Sequence, residues 1–366
     1  MNATDAQRCW VEIDTAALRH NAAVACANSD AELLAVIKGN GYGHGLAEVA
    51  KALDGSAAIF GVANVQEARE ARRVVPHPVL ILGPALPAER APIVEQGFIA
   101  SISSFVEAEE FGRAAKVRKA LLNCVIDTGM GRMGIAERDA PTELKLIAAL
   151  PHAEIHSIST HLPSADEDPA YTRDQLARFK AVVAQIRESV PGAYKIHALP
   201  SAGLFGFADP EFDIVRGGLM LYGVSPIAQF QDQLRPALTW KSHVVLLREL
   251  PAGSSVSYGR TWIAPRITRV ATLSAGYADG YPRAVSNRGA AVLIGGKRCP
   301  VLGRVTMDLM MVDVTDACGV AVGHEAVLIG RQGDEEIPAR EVAERAGTIA
   351  WEIFTGIGSR VARVYV

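Results

Sequence analysis

The 366-residue chain carries 37 Lys and Arg residues against 40 Asp and Glu residues, which gives a formal net charge of -3 at pH 7. This balance lacks the positive charge with which proteins bind nucleic acid or anionic membranes, so we expect a small-molecule partner. The five cysteines include no Cys-x-x-Cys pair, which argues against a disulfide framework and a thiolate metal site, and no apolar run is long enough to span a membrane. These features, with a polar N-terminus, predict a cytoplasmic protein.

The first two thirds of the chain alternates short apolar runs with amphipathic segments. Apolar residues that recur every three or four positions predict helices such as Thr15–Ala27, Val65–Val74, Phe105–Lys116 and Arg173–Ser189. Eight strands are predicted at Leu33–Lys38, Ile59–Val65, Val79–Gly83, Ile99–Ser103, Ala120–Asp127, Glu154–Leu162, Lys195–Ser201 and Phe212–Gly217. Eight strands in right-handed crossover units favour a closed (β/α)8 TIM barrel, with an open doubly wound sheet as the alternative.

The pattern changes near Leu234, after which strand-like runs have little helix between them. Strands are predicted at Leu238–Leu250, Ser255–Tyr258, Arg269–Ser274, Ala291–Ile294, Val305–Val314, Ala326–Ile329 and Val361–Val366, with one helix at Ala339–Ala346. We therefore predict a barrel domain over residues 11–234 and a smaller, mostly β C-terminal domain over residues 235–366. A strand-like opening at Cys9–Ile13 can pair with either domain, and residues 1–10 are left outside the barrel as a strand that can pack with the C-terminal domain.

Lys38 ends an apolar run and is followed by a glycine-rich segment over residues 39–45. A lysine at the end of a buried strand has a low-dielectric position in which its amine can be nucleophilic near neutrality, as a Schiff-base lysine must be. The alternative is a strand-end lysine that reaches solvent beside a flexible turn. Tyr42 and the Gly-Tyr-Gly-His-Gly run favour a cofactor site.

Other polar residues lie at the predicted carboxyl ends of barrel strands, where the active sites of such barrels lie. Ser201 and the glycine pair 217–218 follow the seventh and eighth strands, and their hydroxyl and N–H groups can cradle a phosphate. Arg216 ends the eighth strand, next to Lys38 across a closed barrel, and His161 ends the sixth strand, where it can hydrogen-bond Arg216. The structural alternatives are a salt-bridged arginine and a packing histidine.

A second arginine, Arg132, lies on the glycine-rich loop Asp127–Gly134 after the fifth strand. His152 and His156 are four residues apart, but they flank a strand start rather than share a helix face. We therefore predict no metal site.

Five segments of the chain are similar, in the same order, to the signature segments of the alanine racemase family, whose members are fold type III pyridoxal-phosphate enzymes. They are Ala35–Gly45, Asp127–Gly134, Arg216–Gly223, Ser257–Thr261 and Arg304–Asp308, and the closing Trp351–Tyr365 segment matches too. The resemblance covers nearly the whole chain. It implies a pyridoxal 5'-phosphate-dependent isomerase that interconverts L-alanine and D-alanine, works as a head-to-tail homodimer with shared active sites, and has a barrel followed by a β domain.

The resemblance also assigns roles to residues. Lys38 holds the cofactor as a Schiff base and acts as one base, and Tyr258 of the partner subunit acts as the second base on the opposite face of the substrate. The residues implied in cofactor binding are Lys38, Tyr42, His161, Ser201, Arg216, Gly218 and Leu219. Those implied in substrate binding are Arg132, Tyr258, Thr306, Met307 and Asp308, of which Asp308 is expected to orient its loop.

The group that faces the pyridine nitrogen separates the reactions open to this architecture. An arginine is always charged and disfavours protonation of the ring, whereas related decarboxylases place a carboxylate there, so Arg216 favours a racemase. A racemase of broader or different specificity, for example toward serine, is an alternative, and a cofactor-carrier protein is disfavoured by the β domain with Tyr258. The resemblance implies D-alanine formation, as for a peptidoglycan precursor, and leaves open a role in amino-acid catabolism.

Three residues depart from the family's pattern. Val125 stands where many members have a lysine whose carbamate supports the loop arginine, so Arg132 must be positioned otherwise. Trp351 replaces a tyrosine that contacts phosphate and lines the access channel, and Pro200 replaces an asparagine. The change at Trp351 removes a hydroxyl and adds bulk, which can reshape the substrate pocket.

Overall fold

The computed structural model describes residues 7–207 and 209–366. The chain divides into two compact units: the barrel unit, made of Ala17–Gly41 and Leu46–Arg235, and the β unit, made of residues 7–16, Tyr42–Gly45 and Pro236–Val366. Within the described part of the chain, no helix has the length and apolar character needed to cross a membrane. Residues 1–6 of the predicted N-terminal strand lie outside the described residues.

The strands of both units are numbered in chain order. They are β1 (Cys9–Ile13), β2 (Glu32–Val36), β3 (Ile59–Val62), β4 (Val79–Ile81), β5 (Ile99–Ile102), β6 (Ala120–Asp127), β7 (Ile135–Ala136), β8 (Ala153–Ser159), β9 (Lys195–His197), β10 (Ile214–Gly217), β11 (Leu238–Leu250), β12 (Ser255–Val256), β13 (Trp262–Ile263), β14 (Thr268–Leu273), β15 (Ala291–Ile294), β16 (Lys297–Pro300), β17 (Met310–Asp313), β18 (Glu325–Gln332), β19 (Glu335–Ile337) and β20 (Ala362–Tyr365).

Helices follow most barrel strands and are rare in the β unit. The α-helices lie at Thr15–Ala27, Leu46–Leu53, Val65–Arg72, Pro87–Glu95, Phe105–Ala114, Ala140–Ala148, Pro169–Ser189, Ser201–Gly206, Ala339–Ala346 and Ala350–Thr355. Short 3-10 helices lie at Leu219–Tyr222, Ala228–Gln233, Tyr258–Arg260 and Arg283–Val285.

The barrel unit is a ring of parallel strands. They pair in the order β10-β2-β3-β4-β5-β6-β8-β9, and β10 pairs in parallel with β2 so that Arg216 lies opposite Leu34. A parallel bridge between Pro200 and Arg216 links the β9 side of the ring to β10. The predicted (β/α)8 TIM barrel is therefore confirmed.

Several barrel strands are shorter at their carboxyl ends than the sequence predicts. The run predicted at Leu33–Lys38 ends at Val36, and the run predicted at Lys195–Ser201 ends at His197. Lys38 therefore lies two residues beyond its strand rather than at the strand's last position. The apolar pattern continues past the strand ends because residues such as Ile37 and Leu199 stay buried where the chain leaves the sheet.

The β unit is built on the long strand β11. This strand pairs antiparallel with β1, β14 and β18, and β1 also pairs in parallel with β20. Trp10 and Trp240 are almost completely buried in this sheet. The opening strand Cys9–Ile13 thus pairs in the sheet of the β unit, and the barrel unit begins at Ala17, within the helix Thr15–Ala27 that follows.

The run predicted as one strand at Val305–Val314 is a strand only over Met310–Asp313. Before that strand the chain makes a turn, in which the Thr306 N–H donates to the Leu309 carbonyl at 3.0 Å and the Thr306 hydroxyl donates to the same oxygen at 2.8 Å. Local side-chain hydrogen bonds of this kind compete with strand pairing. They hold Met307 and Asp308 out of the sheet.

Candidate active site

Lys38 begins a left-handed turn. Gly39, Asn40 and Gly41 have φ angles of 64°, 54° and 61°, and Tyr42 follows at 51°. Left-handed backbone costs a residue with a Cβ about 1–2 kcal/mol, so the two glycines lower the cost of the turn, and asparagine tolerates it better than most residues. The glycines beside Lys38 therefore form a defined turn rather than a flexible loop.

The amine of Lys38 lies among positive charges. Burial lowers its pKa below the ordinary value, the positive charges of Arg132 and Arg216 lower the pKa further, and Glu67 raises it. A lower pKa increases the fraction of free amine near neutral pH, which is the nucleophilic form.

Arg216 is a buried arginine on β10. One terminal nitrogen donates to the carbonyls of Thr160 and Ala198 at 2.7 and 2.6 Å and lies 3.3 Å from His161 Nδ1. Its Nε is buried and has no hydrogen-bond partner among the described residues. Burial and the charge of Arg132 lower the pKa of Arg216 to about 10, so the guanidinium stays charged at neutral pH.

His161 lies just beyond β8 and faces Arg216. Burial and the positive charges of Arg216, Arg132 and Lys38 lower the pKa of His161 to about 3. The ring is therefore neutral near pH 7, and its Nδ1 can accept a hydrogen bond from the guanidinium of Arg216.

Ser201 and the residues after β10 lie together. The Ser201 hydroxyl oxygen accepts the N–H groups of Gly218 at 3.0 Å and Met220 at 3.4 Å, and both of these residues are buried. Leu219 directly follows Gly218 and begins a 3-10 helix. The hydroxyl and the backbone around Gly218 thus form the polar, glycine-containing corner that a phosphate requires.

The loop that carries Arg132 is held by an aspartate at its start. One Asp127 carboxylate oxygen accepts the N–H groups of Gly129, Met130 and Gly131 at 3.0, 2.9 and 3.1 Å. Arg132 follows this bonded segment and is exposed. The loop backbone therefore has an internal support at Asp127.

The structure gives the positions of the three residues that depart from the family's sequence pattern. Val125 is buried within β6, and Pro200 forms the bridge to Arg216 directly before the helix that begins at Ser201. Trp351 is half-buried in the helix Ala350–Thr355 of the β unit.

The remaining predicted site residues belong to the β unit. Tyr258 and Met307 are 69% and 53% exposed. Tyr42 also belongs to this unit and is buried, and burial raises the pKa of its phenol to about 12, so the hydroxyl stays protonated.

Two backbone hydrogen bonds hold the loop formed by residues 306–308. The N–H groups of Tyr277 and Ala278 donate to the carbonyls of Thr306 and Met307 at 3.0 and 2.9 Å. A Cβ on Gly276 would come within 2.4 Å of both carbonyl oxygens, so only glycine fits there.

An arginine ties the 306–308 loop to this neighbouring turn. Arg360 donates two hydrogen bonds to the carboxylate of Asp279 at 2.7 and 3.1 Å and a third to Asp308 at 2.8 Å. Asp279 is buried and also accepts the N–H of Gly276 at 2.8 Å. The Asp308 carboxylate thus accepts a hydrogen bond from Arg360, and this bond helps to hold the 306–308 loop.

The predicted residues form two groups. In the barrel unit, Lys38, Arg132, His161 and Arg216 are close enough to shift pKa values within the group. Ser201, Gly218 and Leu219 lie at the adjacent strand ends. In the β unit, Thr306, Met307 and Asp308 share one loop, and Tyr258 follows β12.

Sequence reasoning missed three residues that support these groups: Glu67, Asp279 and Arg360. For Glu67 a signal existed, because Asn64 three positions earlier is a strong helix N-cap and Glu at the third helical position completes a capping pattern. Asp279 and Arg360 are 81 positions apart and carry no local signal for their pairing.

Replacing Arg132 by glutamine removes one of the charges that lower the pKa of Lys38. We expect the pKa of Lys38 to rise, so that acylation of its amine in the cofactor-free protein requires a higher pH. The measurement is the pH dependence of acylation at Lys38, read by mass spectrometry. Arg113→Gln, at an exposed arginine paired with Glu109, is the control, and a profile unchanged from wild type in Arg132→Gln would contradict the prediction.

Replacing Arg360 by glutamine removes the link between Asp279 and the 306–308 loop. We expect the amide protons of Tyr277 and Ala278 to exchange with solvent about tenfold faster, because the charge-assisted hydrogen bonds that support the loop are lost. Hydrogen exchange read by NMR or mass spectrometry measures this. Arg266→Gln, which breaks the exposed pair with Asp316, should leave the exchange of both amides unchanged. Equal exchange in the two variants would show that Arg360 does not hold the loop.

Comparison with known proteins agrees with this architecture. The model of the alanine racemase N-terminal domain matches residues 13–226, and the model of the alanine racemase C-terminal domain matches residues 237–365. Proteins named alanine racemase from Symbiobacterium thermophilum and Methylacidiphilum infernorum are each 42% identical to this chain; the first match covers 97% of this chain and 96% of the relative, the second 98% and 92%.

Solved structures are similar over the same length. Alanine racemase from Streptomyces lavendulae superposes with a TM-score of 0.92 at 34% identity, covering 98% of this chain and 97% of that one. Alanine racemase from Bartonella henselae, described with covalently bound pyridoxal phosphate, superposes with a TM-score of 0.90 at 30% identity, covering 98% and 99%. With both domain models matched in order and relatives similar from end to end, the chain belongs to the alanine racemase family.

Proposed function

We propose that this protein interconverts L-alanine and D-alanine with pyridoxal 5'-phosphate as cofactor. Full-length relatives named alanine racemase support the activity, and the structure of one relative with covalently bound pyridoxal phosphate supports the cofactor. The observation that carries the proposal is the buried guanidinium of Arg216, charged at the carboxyl end of β10, where a decarboxylase of this architecture would need a carboxylate.

The residues of the barrel unit fit the cofactor. The lowered pKa of Lys38 increases the fraction of free amine that can react with the cofactor aldehyde. The Nε of Arg216, which has no hydrogen-bond partner among the described residues, can donate to the pyridine nitrogen. We assign the phosphate to Ser201 and the backbone around Gly218 and Leu219. When bound, the cofactor supplies an electron sink for the charge that develops at the substrate Cα.

We assign His161 a role in positioning Arg216 and no contact with the substrate. Its neutral ring accepts from the guanidinium without adding a second charge next to it. An arginine that stays charged disfavours a proton on the pyridine nitrogen, which limits stabilisation of the carbanion and suits simple proton exchange.

Two residues exchange the protons. Racemisation removes a proton from one face of the Cα and returns one on the other face, so it requires acid/base groups on opposite sides. We assign these roles to Lys38 and to Tyr258 of the partner subunit. The exposure of the Tyr258 side chain supports a role toward a second chain.

The substrate carboxylate needs donors, and the proposal assigns them to Arg132 and the Met307 N–H. Thr306 and Asp308 hold the Met307 loop. The barrel domain predicted over residues 11–234 would thus bind the cofactor, and the C-terminal domain predicted over residues 235–366 would complete the site of the other chain in a homodimer. Location in the cytoplasm stays a prediction from the sequence.

Incubating the protein with L-alanine in deuterated water tests the reaction. We expect deuterium at Cα together with loss of optical rotation, and no carbon dioxide. Lys38→Ala should abolish both exchange and the visible absorbance of the bound cofactor, whereas Lys51→Ala, at an exposed lysine, should change neither. Carbon dioxide release, or a colourless wild-type protein in the presence of cofactor, would overturn the proposal.

Tyr258→Phe tests the two-sided proton exchange. We expect the variant to lose Cα exchange from one enantiomer by a larger factor than from the other, because only one face loses its acid/base group. Equal losses would contradict the assignment of opposed groups.

Mixing Lys38→Ala chains with Tyr258→Phe chains tests whether the site is shared. If Tyr258 acts in the partner's site, each mixed dimer regains one intact site, and a 1:1 mixture should recover roughly a quarter of wild-type activity after subunit exchange. Mixing either variant with itself is the control. No recovery in a mixture shown to contain mixed dimers would place Tyr258 in the site of its own chain.

A further inference from the structure

The carboxylate of Glu67 bridges the turn that follows Lys38 and the end of β3. One carboxylate oxygen accepts the N–H groups of Gly39 at 2.8 Å and Asn40 at 3.2 Å. The other oxygen accepts the N–H of Ala63 at 2.9 Å. A single half-buried side chain therefore satisfies three backbone donors at the carboxyl ends of two adjacent strands.

These donors need a partner from outside the turn. The turn's own backbone bond runs from the Gly41 N–H to the Ile37 carbonyl at 2.8 Å, so Gly39 and Asn40 come before the first N–H that the turn itself satisfies. The N–H groups that open any helical turn are in the same position and require side chains or solvent. Glu67 takes that place for the turn that begins at Lys38.

The position of Glu67 is set by its own helix. Asn64 Oδ1 accepts the N–H groups of Gln66 and Glu67, both at 3.0 Å, which fixes the first turn of the helix Val65–Arg72. In a capping box the acidic side chain would return to the backbone of the N-cap residue. Here it reaches one residue further back, to Ala63, and across to the turn after β2.

We propose that Glu67 is a positioning residue for Lys38 in the reaction proposed above. Its carboxylate holds the left-handed turn that follows Lys38, and this turn fixes the backbone from which the Lys38 side chain extends. Loss of these hydrogen bonds would leave the first two N–H groups of the turn to solvent, which does not fix the backbone, while two residues other than glycine, Asn40 and Tyr42, stay at positive φ. The amine would then reach the substrate Cα from a distribution of positions. Proton transfer depends on such geometry more than substrate binding does.

Glu67 also acts on the charge of Lys38. The groups that face the amine are Arg132 and Arg216, which are positive, His161, which is neutral, and Glu67. Among the described residues that shift the pKa of Lys38, Glu67 alone is acidic and raises it. Removal of its charge should therefore lower the pKa of Lys38, the opposite of the change expected for Arg132→Gln.

Two substitutions separate these effects. Glu67→Gln keeps the shape of the side chain and removes its charge. Whichever way the amide is turned, its NH2 group faces at least one backbone N–H, so at least one hydrogen bond is lost. Glu67→Asp keeps the charge on a side chain one methylene shorter, which cannot reach all three donors. Glu70→Gln, at an exposed position on the same helix, is the matched control.

The first measurement is the pH dependence of acylation at Lys38 in the full chain without cofactor, read by mass spectrometry. For Glu67→Gln we expect the curve to move to lower pH, and for Glu67→Asp and Glu70→Gln we expect it to stay close to wild type. A curve for Glu67→Gln that coincides with that of Glu70→Gln would overturn the electrostatic part of the inference. This readout does not depend on racemisation, so it stands apart from a failure of the proposed function.

The second measurement is the kinetics of alanine racemisation by the loaded enzyme. We expect kcat to fall about tenfold in both Glu67 variants, with KM for alanine within about twofold of wild type. Full activity in Glu67→Asp, or a change in KM alone, would overturn the positioning role. A wild-type protein that does not racemise alanine would instead refute the function proposed above, whatever the acylation curves show.

Discussion

The charge of Arg216, buried where the barrel closes, is the constraint on which the cofactor-facing half of the site depends. An unpaired buried cation is costly, and here backbone carbonyls of Thr160 and Ala198 solvate it in place of a carboxylate. Because no acid neutralises the guanidinium, its field reaches the neighbouring groups. Burial is the larger cause of the lowered pKa values of His161 and Lys38, and the charge of Arg216 lowers both pKa values further.

The reactive amine depends on a second constraint, which is the conformation of the backbone after β2. A left-handed turn gives Lys38 a fixed starting point, and its sequence, with glycine at alternate positions, lowers the strain of that turn. The turn is not self-sufficient, because its first N–H groups are satisfied by the helix that follows β3. Position and charge at Lys38 therefore have different main sources: Glu67 holds the turn, whereas burial and then the two arginines lower the pKa of the amine.

In the β unit, three of the predicted site residues lie on a loop rather than at strand ends. The Thr306, Met307 and Asp308 side chains lie on a loop that the sheet does not pair, and the loop is held by a buried carboxylate and an arginine distant in sequence. Rigid support beneath an exposed loop holds the loop residues in one geometry, which a functional site requires.

The sequence by itself determined the class of fold, the helices Thr15–Ala27 and Ala339–Ala346, and the long strand Leu238–Leu250, because periodicity and strand propensity are local properties. Its motifs also indicated Lys38, Arg216 and the cofactor. Only the tertiary structure decided that Cys9–Ile13 joins the sheet of the β unit, that Val305 to Leu309 leave their predicted strand, and that Glu67, Asp279 and Arg360 support the site. The turn before Leu309 rests on local hydrogen bonds of Thr306 that strand propensity does not register. The other outcomes depend on hydrogen bonds between residues far apart in the chain, and no local pattern specifies the partner in such a bond.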